Sequence, residues 1–463
     1  MGLNLKFDVV NIGNIDKATV TIKPLTIIAG ENSTGKTFIT KSLYTILNAV
    51  YKNHFADELI KQFNLLENAY RRFTANLQNP ASVDLVFERR FTELSSEVYS
   101  LIADLAMCEF EHQEALLEEN KDTLKLFKNE IIHYFSERQK LQKFKKLQKY
   151  IDNIFKKVEI LTFIIENRRE VIVDNIADNL ETGFKKNFQI TDLHSLIQRN
   201  KKATMKLSLE GIGEVSVDQK SIIDFSFKGK GIQTVQSVEN IVFFDSPIYI
   251  KIRQALQKNK STSLNLLFRE FGDEDKYLKG YPEYLDKLYN FMDQEYIDTP
   301  DFHEISQGIE KLISGRVNVS KSGDIQYTDK HNNSIPLSLT AMGISNIGLI
   351  DLLIRNNVIN KGAFLIMDEP EVHLHPEWQV ALANILYAIA KSGATIIIAT
   401  HSLDFLKAFE KILNDKNENA EQLIAINKMP YEKKFAQLSE KEKVNIVLDD
   451  LSKPFYDLYM QDI

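Results

Sequence analysis

The eight residues Gly30-Glu31-Asn32-Ser33-Thr34-Gly35-Lys36-Thr37 stand between an apolar run, Leu25 to Ala29, and a stretch that has no glycine before Gly183 and only Pro80 as a proline. A near-continuous apolar run reads as a strand buried on both faces. A stretch without breakers reads as helix. The loop between them has glycine near each end, so it can fold tightly and aim successive backbone N–H groups into one concavity. The helix that follows adds the partial positive charge of its N-terminus. Together these make a cradle for phosphate, in the pattern G-x-x-x-x-G-K-[ST]. Gly30, Glu31, Asn32, Ser33, Thr34, Gly35, Lys36, Thr37 and Phe38 are the expected nucleotide contacts. Lys36 supplies a point charge for the β- and γ-phosphates of ATP, and the Thr37 hydroxyl is placed to ligate Mg²⁺.

Two further apolar runs end in polar groups. Phe364-Leu365-Ile366-Met367 runs into Asp368-Glu369-Pro370, and Ile396-Ile397-Ile398-Ala399-Thr400 runs into His401. After a phosphate loop, a strand ending in two acids has a ready division of labour. Asp368 holds Mg²⁺, and Glu369 orients or deprotonates the attacking water. Lys36 and Glu369 are the expected catalytic residues, and Thr37 and Asp368 the expected metal ligands.

The phosphate loop, the long insertion, Asp368-Glu369-Pro370 and the strand ending in His401 resemble the ABC-type ATPases of the SMC, RecF and OLD groups. Asn14-Ile15 and Pro24-Leu25-Thr26 before the loop are similar to the same group. Leu374-His375-Pro376 resembles the OLD-like ATPases of bacterial anti-phage defence. The resemblance covers about residues 1–50 and 315–410. It implies an α/β ATPase head, a γ-phosphate-sensing role for His401, and head-to-head engagement of two copies around nucleotide. It implies no metal at His373 and His375, which fall in the loop facing the partner head. The short chain looks most like the ATPase subunit of PARIS-type systems, with the Septu ATPase next. That resemblance implies a sensor or scaffold that controls a separate effector, a nuclease, in response to a phage-encoded trigger.

One motif departs from the family. The signature that reaches across to the partner's nucleotide is best matched by Leu339-Thr340-Ala341-Met342-Gly343-Ile344-Ser345-Asn346. Gly343 fits, but Ala341 stands where serine is expected. The hydroxyl is therefore missing unless Thr340 or Ser345 substitutes, and backbone N–H groups at the helix start are the other source of donors. The Q-loop glutamine is not placed by the sequence; Asp245-Ser246-Pro247, after Ile241-Val242-Phe243-Phe244, is the candidate region.

Periodicity divides the chain into six parts. Residues 1–50 begin the head. Residues 51–200 form a helical, coiled-coil insertion, in which Leu141, Phe144, Leu147, Ile151, Ile154 and Phe155 recur at helical spacing beside Lys140, Lys143, Lys145, Lys146, Lys149, Lys156 and Lys157. That lysine face reads as the solvated side of a helical hairpin, with a phosphate-tracking surface or a partner groove as alternatives. Residues 201–250 alternate with period two and read as β-hairpins, with glycines at Gly211, Gly213, Gly229 and Gly231. Residues 251–313 return to helix, and 314–430 complete the head. Residues 431–463 form a docking tail, in which Asp449-Asp450 reads as a helix cap or loop.

Composition bears on partners and compartment. There are 57 Lys and Arg against 64 Asp and Glu, a net charge of −7. That argues against simple coating of DNA, although a local basic groove is compatible with it. The single cysteine, Cys108, suits a reducing compartment and reads as a half-buried helix residue. No leader and no apolar run of membrane-spanning length is present, so a cytoplasmic protein is expected. About 60 residues follow His401, fewer than a fused metal-dependent nuclease domain requires. Two other readings stand beside the defence ATPase. One is a RecF- or SMC-like DNA-repair or DNA-tethering ATPase, and the other is a nucleotide-gated interaction protein with little turnover.

Overall fold

The computed structural model describes residues 4–51, 53–77, 84–108, 110–198, 204–227, 238, 240–245, 281–294, 302–320, 323–415 and 419–460. The sequence expectations on Gly229, Gly231, Ser246, Pro247 and residues 251–280 lie outside them. The chain divides into two compact units, one of Met1–Val50 with Asn179–Ile463 and one of Tyr51–Asp178.

The first unit is built on a five-stranded parallel sheet of order β13-β3-β12-β11-β7. Its strands are β3 (Leu25–Gly30), β7 (Ile241–Phe244), β11 (Phe364–Asp368), β12 (Thr395–Thr400) and β13 (Ile424–Met429). Every residue of β3 and β12 is buried, as expected of parallel strands covered on both faces. Because the strands are parallel, their carboxyl ends share one edge, where open α/β sheets place their sites. The register Thr400↔Ala29 and Asp368↔Ala399 sets the phosphate loop, Asp368 and His401 along that edge.

α1 (Lys36–Val50) leaves β3 through the loop and is buried along most of its length. Among the described residues, two smaller antiparallel sheets complete the strands. One has the order β2-β1-β4-β5-β6, from β1 (Leu5–Ile12), β2 (Ile15–Ile22), β4 (Met205–Leu209), β5 (Gly213–Val217) and β6 (Ile223–Phe227). Alternation places Phe7, Val9, Leu207 and Val215 in its buried face. The other joins β8 (Gly315–Val319), β9 (Ile325–Asp329) and β10 (Ser334–Pro336), the hairpin read around Gly323 plus a short third strand.

The second unit contains α2 (His54–Ala75), α3 (Leu85–Met107), α4 (Phe110–Glu119), α5 (Lys121–Gln139), α6 (Gln148–Glu166) and the first half of α7 (Arg168–Phe188). It is a bundle with its own aromatic core rather than a single extended hairpin. Phe73 meets Phe135 at 5.0 Å between ring centroids, and Tyr70 meets Phe91 at 4.4 Å. Such pairs contribute about 0.5–1.5 kcal/mol each beyond their burial. Asp84 caps α3 by accepting from Val86 and Phe87 N–H, and pairs with Arg138 at 2.7 Å. Cys108 is the C-cap of α3 and is half-buried.

The helical period read from Leu141 is split. A 3₁₀ segment (Gln142–Leu147) precedes α6, and Leu141 is exposed. Lys145, Lys146, Lys149 and Lys156 are solvent-exposed; Lys140 pairs with Glu137 at 3.0 Å, and the Lys143 side chain lies outside the described residues. The helical unit ends at Asp178 rather than near residue 200, because the second half of α7 belongs to the first unit. There Leu180 and Phe184 are buried, and Asn187 donates to Thr45 Oγ1 at 3.0 Å.

Among the described residues, the remaining helices pack around the parallel sheet and on one another in one apolar core. They are α8 (Glu283–Met292), α9 (His303–Ile313), α10 (Met342–Arg355), α11 (Pro376–Lys391), α12 (Leu403–Asn414), the single turn α13 (Ala420–Leu423) and α14 (Glu440–Met460). Ser345 to Ile354 of α10 are all buried, the mark of a helix within a core rather than at its surface.

Two features of the C-terminal part depart from the sequence reading. β13 adds a fifth strand beyond His401, paired with β3 from Ile424↔Leu25 to Met429↔Gly30. Asp449 and Asp450 lie inside α14 rather than at a cap or loop, and Asp450 pairs with Lys428 of β13 at 2.6 Å. The tail docks on the head through buried Val444 and Val447. Among the described residues, no helix is long and apolar enough to cross a membrane.

Candidate functional site

The loop after β3 takes the tight form that its glycines allow. Gly35 has φ +94°, and a Cβ there would lie 2.6 Å from Ile15 Cγ1 and 2.7 Å from Asn14 Oδ1. Any other residue would meet both strain and collision. At Gly30 a Cβ would stand 2.1 Å from the Met429 carbonyl oxygen of β13. The Asn14 side-chain amide donates to the Ser33 carbonyl, and Thr34 Oγ1 donates to the Glu31 carbonyl at 2.8 Å. Glu31, Asn32, Ser33 and Thr37 are exposed, and Thr34 is half-buried. The Phe38 ring packs on Phe188 at 5.6 Å.

Lys36 is buried, and its Nζ donates to the carbonyls of Gly30 at 2.9 Å and Glu31 at 2.8 Å. Burial lowers its pKa, opposed by the charges of Glu369, Asp368 and Glu371. A cation withdrawn from water among three acids is placed to act on an anion's oxygens.

Asp368 closes β11. Burial pushes its pKa up to about 6; a hydrogen bond with the Thr37 side chain opposes this, and Asp245 adds to it. Its Oδ1 is buried without a hydrogen-bond partner among the described residues. A carboxylate so withdrawn, with one free oxygen and a hydroxyl beside it, fits a hard divalent cation that takes oxygen ligands, as Mg²⁺ does. Asp245 directly follows the neighbouring strand β7, 3.8 Å from Lys41 Nζ, and accepts from Tyr284 Oη at 2.5 Å.

Glu369 and His401 come together. His401 Nδ1 and Glu369 Oε1 are 2.8 Å apart, each side chain somewhat more than a third exposed. Glu369 has φ +50°, the left-handed region that non-glycine residues rarely adopt. Its N–H donates to the Ala399 carbonyl at 2.9 Å, which ties the end of β11 to β12. The carboxylate and imidazole therefore face the open edge of the sheet as one hydrogen-bonded pair.

The segment around Gly343 is different in kind. Ala341 is the N-cap of α10 and makes no side-chain cap. Thr340 Oγ1 donates to the Leu337 carbonyl at 2.7 Å and lies 3.0 Å from Ser345 Oγ. Both residues are buried. Neither hydroxyl replaces the missing serine at the surface, so the helix start offers main-chain N–H groups. A Cβ at Gly343 would meet the Trp378 ring at 3.1 Å.

The structure thus gathers Lys36, Thr37, Asp368, Glu369 and His401 along one sheet edge. Gly343 stands apart at the start of α10. His375 caps α11, its Nδ1 accepting from Glu377 N–H at 3.4 Å, and His373 has φ +67°. Sequence reading missed Glu371 and Thr400 as a bonded pair, and Asn346, whose amide donates to the Pro370 carbonyl at 3.4 Å. Thr400 and Asn346 stand in the apolar run before His401 and in the segment around Gly343, and Glu371 directly follows Asp368-Glu369-Pro370. What pointed to them was the extra acid directly after Asp-Glu-Pro.

The family model described as an AAA ATPase domain matches residues 5–406. No curated protein sequence matches the chain. Among solved structures, an Smc head bound to the C-winged helix domain of ScpA is 11% identical, with a TM-score of 0.39 over 88% of this chain and 91% of that one. An Smc head with an extended coiled coil from Pyrococcus furiosus, bound to the C-terminal domain of ScpA, is 12% identical, with a TM-score of 0.37 over 88% and 92%. The SMC head domain from Thermotoga maritima is 8% identical, with a TM-score of 0.33 over 88% and 92%.

Proposed function

The chain belongs to the AAA ATPase domain family, and from that premise we propose that it binds Mg-ATP at the β3–α1 loop and hydrolyses it with Glu369 and His401. The observation that carries this reading is the 2.8 Å pair of Glu369 and His401 beside the buried Asp368 and Lys36. Backbone N–H groups of the loop and Lys36 hold the phosphates. Asp368 and Thr37 hold Mg²⁺, which when bound neutralises charge on the phosphate oxygens. Glu369 orients a water and accepts its proton, and His401 fixes the carboxylate and reads the γ-phosphate.

The test is steady-state turnover with Mg-ATP. Glu369→Gln should lower kcat by about 10²–10⁴-fold while nucleotide binding survives. Turnover equal to the wild type would remove Glu369 from the role.

We further propose that two copies engage around nucleotide, with the N-terminus of α10 facing the other copy's γ-phosphate. The exposed Ala341 and the uncapped helix start support this. In the same reading, the ATPase is the cytoplasmic sensor or scaffold of an anti-phage complex that holds a separate effector, a nuclease. The Leu374-His375-Pro376 resemblance supports it. Co-purification with the products of neighbouring genes, followed by native mass with and without ATP, tests it. A nuclease-containing assembly is expected. A partnerless chain that dimerises on ATP, with turnover stimulated by DNA, would favour the repair or tethering ATPase instead.

A further inference from the structure

Glu371 is an acid with no task in the mechanism above, and it is almost wholly withdrawn from water, at 3% exposure. It sits in the turn after β11, three residues beyond Asp368. Thr400 Oγ1, the last side chain of β12, donates to its Oε1, and its Oε2 has no partner among the described residues. Burial raises its pKa, opposed by the Thr400 bond. Burying a carboxyl is unfavourable, so its retention needs a reason in what it holds.

That reason lies at its neighbours. Glu369 is held at φ +50°, a conformation that costs of order 1–3 kcal/mol and persists only where the surroundings fix it. The turn that must fix it is Pro370 to His373. This turn is fastened from two sides, by Thr400 on Glu371 and by the Asn346 amide on the Pro370 carbonyl at 3.4 Å. Thr400 immediately precedes His401, and Oγ1 of Thr400 also accepts from Ser402 N–H at 3.1 Å. The Glu371–Thr400 bond therefore joins the backbone two residues after Glu369 to the backbone one residue before His401.

We propose that Glu371 is a positioning residue, a buried strut whose bond to Thr400 sets the distance between Glu369 and His401. This rests on the hydrolytic reading of that pair. It predicts a larger loss in the chemical step than in nucleotide capture, because the phosphate loop is carried by a different strand end and Glu371 acts on Lys36 through its charge alone.

The experiment compares Glu371→Ala, Glu371→Gln, Thr400→Val and Thr400→Ser in the full chain. ATP affinity, kcat and thermal unfolding are measured for each, with the ¹⁵N shifts of the His401 ring. Glu371→Ala and Thr400→Val should lower kcat about 10–100-fold, the scale of a sub-ångström to 1 Å misplacement, with ATP affinity within about twofold. The His401 ring shifts should move as its bond to Glu369 loosens. Glu371→Gln and Thr400→Ser keep the bond and should retain most of the rate. Unchanged kcat and ring shifts in Glu371→Ala and Thr400→Val would overturn the inference. So would equal losses of affinity, rate and melting temperature in all four variants, which would mark a merely structural group. If Glu371→Ala does not fold, Thr400→Val against Thr400→Ser decides the matter. A wild-type chain without turnover would instead refute the hydrolytic reading, and the His401 ring shifts would still report whether Glu371 holds the pair.

Discussion

The loop after β3 and the start of α10 both present backbone N–H groups at a helix N-terminus, yet they are furnished in opposite ways. Around the loop, the charged side chains gather at the strand ends and burial moves their pKa values: Lys36 lowered, Asp368 raised to about 6. At α10 the available hydroxyls, Thr340 and Ser345, turn inward and bond each other. The first region is equipped to bind nucleotide within one chain. The second has only main-chain donors at an uncapped helix start, which in the proposed engagement would act on the other copy's nucleotide. The difference teaches that a helix N-terminus is furnished by where the neighbouring side chains pack, because a hydroxyl near it in sequence can be bonded inside the core instead.

The largest test of that contrast is Lys36→Ala. If nucleotide is held by the loop, removing the charge should weaken Mg-ATP binding by about 100-fold or more, from charge-assisted bonds of about 1.5–3 kcal/mol each. Titration calorimetry reads it directly. Retained binding would mean that α10 contributes far more than its bare N-terminus suggests.

Asp368→Asn sharpens the same contrast through stability. The folded pKa of Asp368, about 6, lies above the ordinary value of 3.8. The folded protein therefore binds more protons than the unfolded chain between these values, and stability falls as pH rises through that window. Above about pH 6, without Mg²⁺, the buried charge costs about 2–3 kcal/mol at roughly 1.4 kcal/mol per unit. Asparagine should recover that at pH 7.5 in chemical unfolding, and its advantage should vanish near pH 4. Mg²⁺ should stabilise the wild type and not the variant.

How much of this was legible in the sequence follows the range of the interactions involved. The strands leading to Thr37, Asp368 and His401 could be read because each is a local apolar run closed by a polar group, and the parallel sheet then brings their ends together. β13 escaped because Asn427 and Lys428 break its apolar run, although Asn427 is buried and bonded to Thr21 of β2. The helical unit was read as a hairpin because periodicity identifies the apolar face of α6 but not which helices cover it. The inward turn of Thr340 was invisible for a related reason: its partner, Ser345, lies five residues on, across a helix start whose geometry only packing fixes.

Thr340→Val tests that inward turn. It removes the Thr340 bond to the Leu337 carbonyl and leaves Ser345 only its 3.3 Å bond to the Ala341 carbonyl, which should lower stability by about 1–2 kcal/mol in chemical unfolding. ATP affinity and turnover should not move. A fall in turnover with unchanged stability would show that Thr340 serves the nucleotide after all, and that the two helix starts are furnished alike.

The smallest expected effect is the most informative about the second region. Ala341 precedes α10 with extended backbone, φ −61° and ψ 147°, and caps nothing. Serine there supplies two things at once. Its hydroxyl can accept from the free N–H groups of the first turn, which stabilises a helix by about 0.5–2 kcal/mol. It also restores a donor at the surface, facing where the other copy's γ-phosphate is proposed to sit. A neutral hydrogen bond gained in the engaged state is worth about 0.5–1.5 kcal/mol. Ala341→Ser should therefore raise the ATP-dependent association constant of the two copies about 2- to 10-fold, read by sedimentation of the Glu369→Gln background. The two contributions separate cleanly. Capping raises the melting temperature of the isolated chain and leaves association alone, whereas a restored donor strengthens association only with ATP present. A gain in stability alone would mean that this end of α10 does not meet nucleotide, and that the two copies engage elsewhere.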